Sequence, residues 1–304
     1  MIINYFLFLL VSNSAEAFNP FDPFGIVDRV KDQISPVHGG NPFGIVDRVR
    51  DQFSPVHGGR SGIIFLHGLG PTSAMGPVCS LLSGPALGLS FRRNKISCPN
   101  APPRPTLMLP PTMIPGVAKL TGIRSWFNFW SLPGLSVVLP FASESKNDLK
   151  EALRWVEEEI EKMIQEGIPS ENIVLTGASQ GGALTLYTAL HTQYKLGGFI
   201  PIVAWVPLLK SEPPASLPTP INKDTPIFHL NGASDPIVPL NAGWASSKAM
   251  KQVFTNYQLK NTASTHSTTI NPINISKVYC WLKKNVPNMA FSRISPLKTV
   301  PCIF

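Results

Sequence analysis

Ser179, Asp235 and His266 stand far apart in the chain, yet they are the residue types that together make a hydroxyl nucleophilic. Ser179 is the centre of Gly177-Ala178-Ser179-Gln180-Gly181, a G-x-S-x-G pattern set between the strand-like run NIVLTG and the helix-like run GGALTLYTALHTQ. That context turns a loose pattern into a nucleophile elbow, a tight strand-to-helix turn that needs small residues on both sides of the serine. The competing reading is a Gly-rich turn that holds a phosphate, but neither G-x-G-x-x-G nor a P-loop lysine accompanies it.

A serine hydroxyl attacks poorly near neutral pH until an imidazole takes its proton and a carboxylate orients that imidazole. The acids after Ser179 are Glu212, Asp224 and Asp235. Glu212 lies in a Pro-rich loop, and Asp224 precedes the strand-like TPIFHL, which puts it at the wrong edge of a sheet. Asp235 follows that strand, at the carboxyl edge where Ser179 also belongs. His266 is the only histidine beyond Asp235 and falls in the loop NTASTHSTT, between the strand-like NYQLK and the last helical run. His229, inside IFHLNG, reads as a buried strand histidine, and His191 as a helix-terminal one. A tetrahedral intermediate also needs two backbone N–H donors for its oxyanion. Gln180, next to the serine, offers one; the HGLG run at His67–Gly70 suits the other, with Leu69 as donor.

The elements that must position these groups follow from periodicity. GIIFLHGLG is a short apolar run ending in glycines, as in a strand buried on both faces, and NKISCP is a weaker copy of that texture. Residues 148–167 place Leu149, Ala152, Leu153, Val156, Ile160, Met163 and Ile164 at helical spacing, with a Gly stop and Pro169 beyond. Strands at GFIPIVAW, TPIFHLNG and NYQLK then alternate with helices at NAGWASSKAMKQVF and NISKVYCWLKKNV. The alternation predicts an α/β fold, a mostly parallel central sheet with helices on both faces. The Pro-rich stretches CPNAPPRPTLMLPPTMIP and KSEPPASLPTP read as connections.

The 304 residues, 43% hydrophobic and 14% charged, suffice for one large core with appendages. The net charge of +8 comes from scattered residues without a Lys/Arg run, so nucleic acid is not an expected partner. Four cysteines without CxxC spacing argue against a zinc site, and neither a metal nor an organic cofactor is expected. Residues 1–17 hold an apolar run ending in Ala15-Glu16-Ala17, the pattern of a secretory signal peptide, although no Lys or Arg precedes the run. Residues 22–40 recur as 41–59, so 18–60 reads as a duplicated linker or pro-segment, with His38 and His57 as loop residues. The catalytic domain is expected over 61–287, and 288–304 as a tail. One sequon, Asn274-Ile275-Ser276, is present.

The motifs IIFLHGLG, CPNAPPRP, SWFN, GIPSENIVLTGASQGGALTLYTAL, the Trp205-to-Leu208 W-x-PL and NGASDPIVPL resemble the acyl-protein thioesterase/lysophospholipase family of α/β-hydrolases. The resemblance covers about Ser61–Pro287. It implies the α/β-hydrolase fold and a serine hydrolase that cleaves long-chain acyl thioesters of proteins, S-palmitoyl groups among them, through an acyl-enzyme. It implies Ser179, Asp235 and His266 as catalytic residues, Leu69 and Gln180 as oxyanion donors, and Trp126 and Phe127 at the substrate-binding rim. The expected partners are S-acylated proteins or lysophospholipids, with transient contact at a membrane surface. Lysophospholipase or general carboxylesterase activity, or a catalytically impaired acyl-binding protein, are the alternatives. The chain departs from the family at Pro71, where aspartate is usual, at Asn128, where Trp-Phe-Asp is usual, and before His266, where a glycine-rich approach is usual. The family is typically cytoplasmic, whereas the signal-like segment points to secretion.

Overall fold

The computed structural model describes residues 60–70, 94–106, 120–130 and 143–289, with Phe291 and Cys302. The signal-like and duplicated segments, and Pro71, lie outside the described residues. In chain order the strands are β1 (Ser61–Leu66), β2 (Asn94–Ser97), β3 (Pro103–Thr106), β4 (Leu120–Arg124), β5 (Phe129–Trp130) and β6 (Ser143–Glu144). They continue as β7 (Ile173–Ala178), β8 (Gly198–Ile202), β9 (Ile227–Gly232) and β10 (Tyr257–Thr262). The helices are α1 (Lys146–Gln165), α2 (Gln180–His191), α3 (Leu240–Met250) and α4 (Pro272–Asn285).

Six strands form one sheet in the order β10-β9-β8-β7-β1-β2, every pair parallel. Successive side chains of a strand point to opposite faces, and both faces here are covered. Ile64, Leu66, Leu175 and Phe199 pack with Leu149, Val156 and Ile160 of α1 and Ala242 and Met250 of α3. Ile63, Phe65, Val174, Ile200 and Phe228 pack with Ile275, Val278, Trp281 and Leu282 of α4. Helix α1 starts where Ser145 Oγ accepts the Asp148 N–H, and Gly167 at φ +84° follows its end.

Three readings are revised. The first Pro-rich segment is not wholly a connection, because β3 lies within it and pairs antiparallel with β4 just beyond it. A two-stranded ribbon leaves each strand one free edge, so prolines lacking an N–H can sit there. The strand expected through Trp205 stops at Ile202, where Val203 takes φ +44° and turns the chain. The short β5–β6 pair has no periodic signature and was not anticipated.

Beyond 287, Asn288, Met289 and Cys302 are attached to the domain. Met289 is buried, Asn288 Nδ2 donates to Asn172 Oδ1, and Cys302 forms a disulfide with Cys280 of α4. Asn274 of the sequon is 3% exposed and donates to the Thr269 carbonyl, so a glycan at this position and this packing exclude one another.

Candidate active site

Strand β7 delivers Ser179 to the carboxyl edge of the sheet in a conformation that L-residues seldom adopt, φ +55°, ψ −119°. The elbow closes because its flanks lack side chains. A Cβ on Gly177 would lie 2.4 Å from the Gly181 carbonyl oxygen, and one on Gly181 would lie 2.1 Å from that of Leu66. Gln180 opens α2, so its N–H belongs to the unpaired donors of a helix N-terminus.

Asp235 follows β9 and is buried, with each oxygen engaged. Oδ1 accepts the N–H groups of Ile237 and Val238 at 2.8 and 2.9 Å, and Oδ2 accepts from His266 Nδ1 at 2.7 Å. The Asp235 side chain is fully buried, while that of His266 is 16% exposed. With Nδ1 donating, the free Nε2 of His266 is the nitrogen left to take a proton. No hydrogen bond from the Ser179 hydroxyl is made among the described residues; in ligand-free sites such links are often loose and tighten with substrate. The glycine-rich approach is replaced by a lattice of hydroxyls. Thr262 and Ser264 hydroxyls meet at 2.6 Å, Ser264 and Thr269 at 2.9 Å, and Thr265 and Thr268 at 2.9 Å.

The HGLG run follows β1 and lies against the elbow. A Cβ on Gly68 would stand 3.3 Å from Ser179 Cβ and 3.9 Å from its Oγ. The structure therefore sets Gly68, the neighbour of Leu69, against the serine that Gln180 directly follows. Trp126 and Phe127 are also brought here, but both side chains are buried, at 1% and 0% exposure. Phe127 packs edge-on against Trp205, and the Trp126 indole donates to the His67 carbonyl.

Three groups escaped the sequence reading. The Gln180 side chain, 1% exposed, donates to Ser125 Oγ and the Phe127 carbonyl and accepts the Trp126 N–H. Arg104 donates to the Ser125 carbonyl and to Glu151, pairs with Asp148 and lies over the Trp155 ring. Glu144 accepts from the Trp205 indole and the Leu208 N–H, and burial raises its carboxyl above the usual carboxylate range. None of these leaves a periodic trace, since each depends on partners 21 to 64 positions away. Of the acids set aside, Glu212 pairs with Lys146, and Asp224 accepts from Thr255 before β9. His229 is wholly buried, its Nδ1 against the Tyr257 hydroxyl, and burial pushes its pKa down to about 3.

Residues 54–285 match the sequence profile of the phospholipase/carboxylesterase family. The chain belongs to that family. Acyl-protein thioesterase 1 of Kluyveromyces lactis is 36% identical over 149 residues, which span 48% of this chain and 63% of that protein. Acyl-protein thioesterase 1 of Gibberella zeae is 29% identical over 225 residues, 74% of this chain and 90% of the relative. The crystal structure of Arabidopsis thaliana SOBER1 superposes with a TM-score of 0.60 at 28% identity, covering 75% of this chain and 99% of that one. The fold is the α/β-hydrolase fold, and this phospholipase/carboxylesterase family member is a hydrolase of thioesterase or carboxylesterase type.

Proposed function

We propose that the protein is a serine hydrolase of long-chain acyl thioesters on proteins, acting through an acyl-enzyme on Ser179. The observation that carries this reading is the closed Asp235–His266 pair at the same sheet edge as the strained Ser179 elbow. Ser179 Oγ attacks the acyl carbonyl carbon while His266 Nε2 takes the hydroxyl proton. The N–H groups of Leu69 and Gln180 receive the oxyanion. Collapse breaks the carbon–sulfur bond, and His266 returns the proton to the leaving thiol. Water then attacks the acyl-enzyme by the same route, releasing the fatty acid and regenerating Ser179. Asp235 keeps His266 in the Nδ1–H tautomer and stabilises the imidazolium. The relatives named acyl-protein thioesterase support the acyl-thioester class, and the net charge of +8 suits contact with an anionic membrane surface that carries acylated proteins. A fluorophosphonate probe should label the wild type and not Ser179→Ala; equal labelling of both overturns the assignment.

A second reading, hydrolysis of lysophospholipid or other carboxyl esters outside the cytosol, is favoured by the Cys280–Cys302 disulfide, a bond that oxidising compartments maintain. It accords with the signal-like residues 1–17. N-terminal sequencing of the native protein separates the two: a mature chain starting at Phe18 supports export, and an intact Met1 opposes it. Turnover of palmitoyl thioesters against lysophospholipids, at matched chain length, then ranks the substrates.

A further inference from the structure

The acyl-transfer reading assigns the oxyanion to two backbone amides on different loops, and backbone amides on separate loops aim together only if something ties the loops. The described residues contain such a tie. His67 Nε2 accepts the Ala101 N–H at 2.9 Å, so the ring proton resides on Nδ1, which lies 2.6 Å from the Gly68 carbonyl oxygen. His67 is 3% exposed, and burial lowers its pKa, which keeps the ring neutral and this tautomer in place. The carbonyl of Gly68 and the N–H of Leu69 belong to one planar peptide unit and point in opposite directions. Holding the carbonyl therefore fixes where the N–H points, and that peptide lies against Ser179. Neither the Leu69 nor the Gln180 N–H hydrogen-bonds another described residue.

The tie continues to the second donor. The His67 carbonyl accepts the Trp126 indole N–H at 2.8 Å. The Trp126 backbone N–H donates to Gln180 Oε1 at 3.0 Å, and Gln180 Nε2 donates to the Phe127 carbonyl at 2.6 Å. One buried circuit thus runs from the side chain of Gln180 through Trp126 to His67 and the Gly68–Leu69 peptide. We propose that His67 is a positioning residue that aims the Leu69 N–H, and that the Trp126 indole and Gln180 side chain lock this donor in register with the Gln180 N–H.

The proposal rests on the acyl-transfer reading but fails separately from it. The full-length protein is compared as wild type, His67→Leu, His67→Asn and Trp126→Phe, with p-nitrophenyl octanoate as substrate and active sites counted by fluorophosphonate end-point labelling. His67→Leu removes the donor to the Gly68 carbonyl; His67→Asn offers an amide N–H near the position of Nδ1. His67→Leu is expected to lower kcat per labelled site by about 10- to 100-fold with KM held, since losing an oxyanion donor outright costs about 100- to 1000-fold. Affinity for a trifluoromethyl ketone, which presents an oxyanion as its hemiketal, should fall by the same factor. His67→Asn should recover most of the loss, and Trp126→Phe should fall between wild type and His67→Leu. Wild-type kcat per site in His67→Leu, or equal losses in the Leu and Asn variants, overturns the proposal. If His67→Leu does not fold, unchanged kcat and ketone affinity in Trp126→Phe overturn it as well. Failure of the acyl-transfer reading has a different signature: equal labelling of wild type and Ser179→Ala.

Discussion

His266 Nδ1 lies 2.7 Å from Asp235 Oδ2, and the other oxygen of Asp235 is held by two backbone N–H groups. The carboxylate is therefore immobilised independently of the histidine, and its charge reaches only one side of the ring. Asp235→Asn keeps the shape but offers Nδ1 an amide that can donate, which inverts the tautomer. We expect kcat to fall by about 10³- to 10⁴-fold with little change in thermal stability, measured on a p-nitrophenyl ester. A loss under tenfold would show that His266 is oriented by other groups.

Gly181→Ala would set a methyl group 2.1 Å from the Leu66 carbonyl oxygen, a backbone atom with no flexible side chain to yield. Overpacking of this kind costs about 1–3 kcal/mol, and rigid backbone on both sides places this site at the upper end. Denaturant unfolding should show the loss, and the elbow should open enough to abolish fluorophosphonate labelling in whatever folds.

Asn128 Nδ2 donates to Asp148 Oδ2 at 2.7 Å, and Arg104 pairs with the other Asp148 oxygen. Asn128→Asp, the residue usual in the family, would set two carboxylates against each other, with Arg104 on the far oxygen of Asp148. One of the pair then keeps its proton, with a folded pKa raised above the unfolded value of about 3.9. The penalty is full above that raised pKa and disappears as pH falls below about 3.9. We expect the variant to be less stable than wild type at pH 8, by about 1–3 kcal/mol, with the gap closing toward pH 4. A gap that does not depend on pH would point to packing.

Burial holds His229 neutral to about pH 3, against 6.5 in the unfolded chain. Between those values the unfolded state binds the extra proton. This residue's contribution is thus complete above pH 6.5 and is lost as pH falls toward 3, at about 1.4 kcal/mol per pH unit. His229→Leu should lower stability at pH 7, because the Tyr257 hydroxyl loses its partner, but should flatten the acid limb by that slope. An unchanged slope between pH 6 and 4.5 would show that His229 titrates normally.

Ser179 and Asp235 were selected because each follows an apolar run that ends in a glycine, a local signal, and His266 because it is the only histidine beyond Asp235. A parallel sheet then places the carboxyl ends of its strands along one edge, so chain order alone carried the three residues to one place. The β3–β4 ribbon was hidden because its prolines mask the strand pattern, and β5–β6 because two-residue strands have no period. Trp126 and Phe127 were assigned to a rim on resemblance; their side chains are buried, one donating to the His67 carbonyl and the other packed against Trp205, contacts that leave no local signal.

Residue type, spacing and chain order were enough to nominate an elbow serine, an acid and a histidine, since the first two are marked by their immediate neighbours and the last is the only histidine that follows. The circuit from Gln180 through Trp126 and His67 to Gly68 has no such mark, because its members come from two loops and the start of α2, 53 to 59 positions apart. Hydrogen bonds across that separation exist only once the sheet and α2 have folded and excluded water from among them. The chemistry was legible as a list of groups, and folding supplied their aim.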